Sequence, residues 1–361
     1  MWAIKFLRLL PEAGFAPALA SGLSADAALN LGLMRNTTTP PASRSGKAPP
    51  AARQGAKPDQ VIEELRPGQS LELLKELHIL TREGRLNQDT RRKLKQVYHL
   101  YQFIEPLLQE VHEASAANPP PTMADHGAGK SYLGFILYDL FYNVAHRGEK
   151  NTGHVYGIET RTELVEKSRA LAARLGFARM SFLNLSVQEA TTSPDLPPTI
   201  DIVTALHACD TATDDAIAFG LAKSARHMVL VPCCQAEVAG VLKKSRVLNL
   251  AKTPLAELWR HPLHTREFGS QITNVLRCLQ LEASGYDVTV TELVGWEHSM
   301  KNELILASRP ARSNPPKTRA AQERLQAVLQ ELGLGDLSAR FAVANEAAQA
   351  LRDSKLLPDK F

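Results

Sequence analysis

The stretch Met123-Ala124-Asp125-His126-Gly127-Ala128-Gly129-Lys130-Ser131 decides how this chain is read, because two different nucleotide-binding loops can be laid over it. As a phosphate loop, Gly129-Lys130-Ser131 supplies the end of G-x-x-x-x-G-K-[ST], whose amides and lysine would hold the phosphates of ATP. The opening glycine of that pattern falls on Ala124. As an S-adenosylmethionine (SAM) loop, Asp125 closes a first strand, and Gly127 and Gly129 follow at G-x-G spacing. Glycine adopts positive φ freely and lets a ligand approach the backbone without a Cβ in the way. An ordinary strand-to-helix turn also fits a lone G-x-G.

Spacing further along arbitrates. His154-Val-Tyr-Gly-Ile-Glu159 is a short β-rich run ending in an acid. It lies about thirty residues past the loop, where a nucleoside-binding α/β unit places the carboxylate that accepts from ribose hydroxyls. A phosphate loop has no use for that acid. Between the two, Leu133, Ile136, Leu137, Leu140 and Phe141 recur at helical spacing, which predicts a helix over 132–142 with one apolar face on a sheet. Strand, glycine loop, helix, strand and acid are all in place, and they favour nucleoside binding.

The frame is compatible. The chain has 361 residues, 44% of them apolar and 22% charged, as in an ordinary globular protein with one sizeable core and appended segments. A net charge of +4 permits a nucleic-acid partner without demanding one. Four cysteines, two of them adjacent as Cys233-Cys234, are no disulfide framework in a chain this long, which points to a reducing, cytoplasmic compartment. No run reaches the roughly twenty apolar residues a membrane helix needs.

Residues 1–60 are expected to form a disordered basic extension. Lys5 and Arg8 interrupt the apolar start, 36–57 is rich in Thr, Pro, Ser and Ala, and Met34 is an alternative start. Residues 61–115 read as a helical segment, with Leu71, Leu74, Leu77 and Leu80 in one stripe and a longer helix from about Asp89. On that helix the basic run Arg91–Lys95 stands beside Tyr98, His99 and Tyr101. It reads either as a surface for RNA phosphates and stacked bases or as a solvated face with its aromatics in the core.

Further strands are predicted over 180–187, 199–207, 227–232, 286–294 and 301–308, the last two as antiparallel neighbours. Asn184 and Ser186, near the third strand's end, and Leu206, near the fourth's, are candidate cofactor contacts. Ligands bind at the carboxyl edge of an open α/β sheet, which brings His207, Cys209 and Asp210 and then Cys233, Cys234 and Gln235 to the same place.

Asp125-His-Gly-Ala-Gly-Lys-Ser-Tyr-Leu133, Leu206-His-Ala-Cys-Asp-Thr-Ala-Thr-Asp214, Val231-Pro-Cys-Cys-Gln235 and Glu297-His-Ser-Met-Lys-Asn302 together resemble the signature blocks of bacterial class I SAM-dependent methyltransferases of the methyltransferase-domain-32 group. The resemblance runs from about Leu71 to Arg309. It implies an α/β fold, a Rossmann-like seven-stranded sheet over 116–310, with helical additions at both ends. It also implies that Asp125, Gly127 and Gly129 line the methionine end of SAM and Glu159 the ribose. His126 departs from the small or cysteine-like residue usual there. The methyl acceptor that the resemblance suggests is RNA, tRNA or rRNA above all.

Methyl transfer is an in-line displacement that needs orientation and at times a base. Asp210 or His207 could position or deprotonate the acceptor; alternatively His207 caps the strand and Asp210 the helix that follows, from Thr211. Cys233 and Cys234 read as a zinc site with His207 and Cys209, as a covalent nucleophile toward a pyrimidine, or as packing cysteines; adjacent cysteines chelate poorly, and no metal is assigned. Gln235 could hydrogen-bond an acceptor base, and His298, Lys301 and Asn302 could close over the acceptor. Cys278 reads as structural. Residues 311–361 read as a linker and a helical hairpin, 318–332 and 337–351, whose arginines could extend an RNA surface. Rival functions are a methyltransferase for a small molecule or protein, and a SAM-sensing or RNA-binding module without catalysis. An ATPase is remote.

Overall fold

A computed structural model describes residues 64–114, 120–148, 153–206, 210–232, 236–245, 254–293 and 303–343. A seven-stranded sheet carries the strand order β3-β2-β1-β4-β5-β7-β6. Its strands are β1 (Thr122–His126), β2 (His154–Ile158), β3 (Met180–Leu183), β4 (Ile202–Leu206), β5 (His227–Val231), β6 (Asp287–Glu292) and β7 (Glu303–Ser308). β1 to β5 pair in parallel, while β7 runs antiparallel to both β5 and β6. This is the Rossmann-like sheet that the resemblance implies. The middle strands are apolar runs buried on both faces, such as Ile202-Val203-Thr204-Ala205, because helices cover both sides of a parallel sheet.

One face is covered by α1 (Leu71–Glu76), α2 (Gln88–Ala114), α3 (Tyr132–Leu137) and α4 (Thr162–Leu175). Leu73 and Leu74 of α1, Leu94, Tyr101, Ile104 and Leu108 of α2, and Phe135 and Ile136 of α3 join Met123 and Val155 in one core. Of the predicted leucine stripe, Leu74, Leu77 and Leu80 are buried and Leu71 is exposed. The helix predicted over 132–142 is present, but from Tyr138 to Ala145 it continues as a π-helix. Such wide turns are rare and are not predictable from a 3.6-residue period.

The other face is covered by α5 (Val187–Thr192) and α6 (Ala212–Ala222), whose Ala190, Ile217 and Phe219 pack on Ala124, Val203 and Leu230. The third strand stops at Leu183, four residues short of its predicted end. Ser186 opens α5 instead, its Oγ accepting the Glu189 amide while the Glu189 carboxylate accepts the Ser186 amide, a complete capping box.

Beyond β5, α7 (Glu237–Ser245), α8 (Pro262–Ala283) and α9 (Pro315–Glu331) build a third cluster from Val238, Leu242, Leu276, Ala321, Leu325 and Leu329. A Cβ on Gly269 of α8 would lie 2.6 Å from the Ala239 Cα of α7, so glycine there sets how closely the two helices approach. The second helix predicted near the C-terminus falls on a 3-10 turn, Gly335–Phe341, and then outside the described residues.

Antiparallel β7 makes β6 parallel to β5. The helix leading into β6, α8, therefore begins on the carboxyl edge of the sheet. At ~1.5 Å per residue its 22 residues rise about 33 Å, roughly twice the depth of a five-residue strand, so its N-terminal turns project past that edge.

Candidate cofactor and acceptor site

The register of β1 on β2 pairs His126 with Ile158, so the glycine loop and Glu159 leave the sheet side by side. Gly127 and Gly129 have φ of 64° and 59°, the left-handed region where a Cβ costs energy, and Ser131 is also left-handed at 48°. The Gly129 amide donates to Glu159 Oε2 at 2.7 Å. Arg161 donates its backbone N–H and Nε to Oε1, each at 3.0 Å, and Nη2 to Oε2 at 3.1 Å. Burial alone would raise the Glu159 pKa, but the Arg161 guanidinium and the two amides more than offset it and hold the acid at about 2. The turn after β2 therefore carries a fixed negative charge whose oxygens are engaged by Gly129 and Arg161.

Asp125 is buried and bridges two hydroxyls. Thr204 of β4 donates to Oδ1 at 3.0 Å, and Ser131 donates to Oδ2 at 3.2 Å. Desolvation pushes its pKa up to about 6 in spite of these bonds and the Gly134 amide. Beside it His126 is 5% exposed and packs against Phe219 of α6. Neither of its ring nitrogens has a partner among the described residues, and burial pushes its pKa down to about 4, the nearby Glu159 only partly opposing. The ring is thus neutral at ordinary pH.

These contacts remove the phosphate-loop reading. The Ala128 amide donates to the Ile158 carbonyl, Gly129 to Glu159, and Ser131 to the Ala128 carbonyl. A phosphate cradle needs those amides free, and a carboxylate within the loop repels an anion. The Ser131 hydroxyl, which would face a nucleotide's metal, is buried against Asp125.

Of the other predicted contacts, Asn184 donates Nδ2 to the Glu159 and Thr160 carbonyls at 3.0 and 2.8 Å and accepts from Thr162 Oγ1. Its role in this structure is to shape the loop that carries Glu159. Ser186 is the helix cap already described, and Leu206 packs into the core against the α3 face.

Asp210 corrects its expected capping role. Its Oδ1 accepts the amides of Ala236 and Glu237 at 2.9 and 3.3 Å, so it caps α7 across the sheet edge and not the helix that follows it in sequence. The N-cap of α6 is Thr211, with no side-chain bond. Asp210 adopts φ of 50°, and its carbonyl accepts Arg277 Nη2 at 2.8 Å. His207, Cys209, Cys233, Cys234, Gln235, His298, Lys301 and Asn302 lie outside the described residues. Burial pushes the Cys278 thiol up to about 12, as befits an inert packing cysteine.

The aromatic residues of the basic helix belong to the interior. Tyr98 hydrogen-bonds Gln69 and accepts the Arg66 amide, and the Arg66 guanidinium sits 4.6 Å from the ring centre of the fully buried Tyr101. Neither tyrosine ring is free to stack on a base, His99 is half-buried with its ring against Phe103, and Arg91 pairs with Glu64. No helix among the described residues is long and apolar enough to cross a membrane.

Residues 92–241 match a family described as "Methyltransferase domain". No protein of curated function matches the chain in sequence. Among solved structures, a putative O-methyltransferase from Klebsiella pneumoniae is similar with 13% identity and a TM-score of 0.40, over 70% of this chain and 94% of that one. Magnesium protoporphyrin IX methyltransferase from Synechocystis PCC 6803 with bound SAH is similar with 14% identity and a TM-score of 0.37, over 66% and 93%. An rRNA methylase from Streptococcus thermophilus has 10% identity and a TM-score of 0.34, over 57% and 94%. Likenesses this slight carry no inference about acceptor or residues. With residues 92–241 matching a methyltransferase domain and the sheet order that frames it, beside a glycine loop closed to phosphate, the chain is a SAM-dependent methyltransferase of Rossmann-like fold.

Proposed function

We propose that this enzyme methylates RNA. The supporting observation is the exposed cations at the carboxyl edge, where acceptors approach. Lys130 follows the glycine loop, Arg161 follows β2, Arg260 just precedes α8 and Arg266 lies in its first turns; the three arginines are 59%, 69% and 58% exposed, paired with Glu159, Glu257 and Glu267 at the surface, and such exposed guanidinium groups can exchange a carboxylate for a phosphate. Cations so placed suit a phosphate backbone and make binding salt-dependent. The exposed Lys93 and Lys95 of α2 extend the same chemistry, as phosphate contacts without stacking. A reducing, cytoplasmic setting suits both this substrate and the half-buried free thiol of Cys278.

In this reading Glu159 takes the ribose of SAM, and Gly127 and Gly129 allow the cofactor to lie against the loop. Asp125 fixes the loop through Ser131. Bound SAM supplies a methyl group on a positively charged sulfur, open to in-line attack. The chain's part is then to orient the acceptor at the ends of β4 and β5. Asp210, with Oδ1 engaged by two amides, is a positioning group there, and His207, Cys233, Cys234 and Gln235 are the candidates to touch the acceptor.

The test is tritiated methyl transfer from SAM to RNA taken from cells lacking the protein, with Glu159→Ala as control and salt varied. Incorporation into RNA that falls steeply with salt supports the proposal. Incorporation into a small-molecule or protein fraction instead overturns it, and SAM binding without transfer to any fraction indicates a non-catalytic module.

A further inference from the structure

We propose that Arg277, which belongs to none of the four signature blocks, is the positioning residue of the acceptor half of the site. This rests on the methyltransferase reading above, not on RNA as acceptor. Arg277 lies on α8 and is fully buried. Its Nε and Nη2 fork onto Asp214 at 2.6 and 3.0 Å, its Nη2 also holds the Asp210 carbonyl at 2.8 Å, and its Nη1 donates to Asn274 Oδ1 at 3.1 Å. Asn274 in turn donates to Glu303 Oε2 at 2.7 Å.

The bonds and those of their partners reach three parts of the carboxyl edge. Asp214 and Asp210 belong to the block that begins at the end of β4. Asp210 passes the constraint on, because its Oδ1 fastens Ala236 and Glu237, which directly follow the Pro232–Gln235 block. Glu303 opens β7 immediately after Asn302, the end of the fourth block. Directly, or through Asp210 and Asn274, one guanidinium thus braces described residues within or beside three blocks, after β4, after β5 and at the start of β7.

Two features distinguish this from a packing accessory. A buried ion pair is seldom the most stabilising way to fill a core, since apolar residues of similar volume do as well or better, so stability alone does not account for it. And Asp210 is a non-glycine residue in left-handed backbone, a conformation that persists only where its surroundings impose it. Arg277 and the α7 amides are the groups that impose it. Only arginine presents donors in a rigid planar fork; lysine offers a point charge that can satisfy Asp214 but not Asp210 and Asn274 as well.

The test compares full-length Arg277→Lys and the double variant Asp214→Leu/Arg277→Met with the unaltered protein. Three quantities are read: hydrogen exchange of the Ala236 and Glu237 amides, the SAM dissociation constant, and kcat and KM for tritiated methyl transfer into total RNA or, failing that, a protein and metabolite extract. The double variant replaces the pair by apolar residues and guards against simple unfolding of the lysine variant. The expected result is exchange at 236–237 at least tenfold faster, SAM affinity within about threefold, and kcat reduced at least tenfold at unchanged KM for SAM. Unchanged exchange in both variants overturns the proposal whatever the activity. Faster exchange with unchanged kcat also overturns it, leaving Arg277 a structural brace. If the unaltered protein transfers no methyl group to any fraction, the methyltransferase reading has failed and this proposal falls with it, whereas a loss confined to the variants cannot come from that source.

Discussion

The Gly129 amide and the Glu159 carboxylate, thirty residues apart in sequence, are joined by a 2.7 Å hydrogen bond. The glycine loop after β1 and the acid after β2 therefore form one rigid unit, and removing the acid damages both. Replacing Glu159 by Ala removes the proposed ribose acceptor and frees the Gly129 amide. Charged hydrogen bonds contribute about 1.5–3 kcal/mol each, so SAM affinity measured by calorimetry should fall by about tenfold to a hundredfold or more. A Glu159→Ala protein that binds SAM as tightly as the parent would remove Glu159 from the site.

Arg161 competes for the same acid. With the amides of Gly129 and Arg161 and two guanidinium nitrogens on it, the carboxylate has no lone pair left for a ribose hydroxyl. The guanidinium is 59% exposed and returns to water at small cost. Arg161→Ala should accordingly bind SAM more tightly, by roughly twofold to fivefold, given that exposed pairs contribute at most about 1 kcal/mol. Weaker binding would mean that the arginine contacts the cofactor and does not merely shield its acid.

Much of the local geometry around the glycine loop was legible in the sequence, and the division has a physical cause. Asp125, the glycines and Glu159 announce themselves because a strand, a positive-φ loop and a helix must follow one another locally, whereas the Rossmann-like sheet was implied by the family resemblance. What pairs with what did not show. Asp125 meets Thr204 across 79 residues and Arg277 meets Asp214 across 63, contacts that arise only from the register of neighbouring strands and helices. Asp210 displays the limit most clearly: next to a helix start it reads as that helix's cap, but its left-handed backbone turns the carboxylate to a different helix 26 residues on. The rings of Tyr98 and Tyr101, beside cations in the sequence, face inward because α2 is a core helix over much of its length.

His126 and Asp125, adjacent and buried, make opposite contributions to the pH dependence of stability. The folded pKa of His126 is depressed from 6.5 to about 4, so the unfolded chain binds the extra proton between those values and stability is lost as pH falls through them. The folded pKa of Asp125 is raised from 3.8 to about 6, so there the folded chain binds the extra proton and stability is lost as pH rises. Each amounts to on the order of 3 kcal/mol at ~1.4 kcal/mol per pKa unit, and in the parent the two nearly cancel. His126→Leu removes one of them and two unpartnered nitrogens. It should be more stable than the parent at pH 5 and, in denaturant melts, lose stability between pH 4 and 6, where the parent stays level. A level profile in the variant would show that Asp125 is hydrated in solution.

Gly134 tests whether the loop geometry matters to cofactor binding. It sits inside α3, where replacing glycine by alanine ordinarily gains about 1 kcal/mol of helix propensity. Here a Cβ would lie 2.6 Å from Ser131 Oγ and 3.3 Å from Asp125 Oδ2, in a region with no solvent into which either could retreat. The Ser131 hydroxyl has to move, and the loop loses its tie to Asp125. Overpacking of this kind costs about 1–3 kcal/mol, so the net effect of Gly134→Ala on stability should be a loss of up to about 2 kcal/mol. SAM affinity should fall further than that modest loss implies, by tenfold or more, because the displaced group belongs to the cofactor loop. If thermal stability drops while calorimetry returns the parent's SAM affinity, the Asp125–Ser131 tie serves the fold alone.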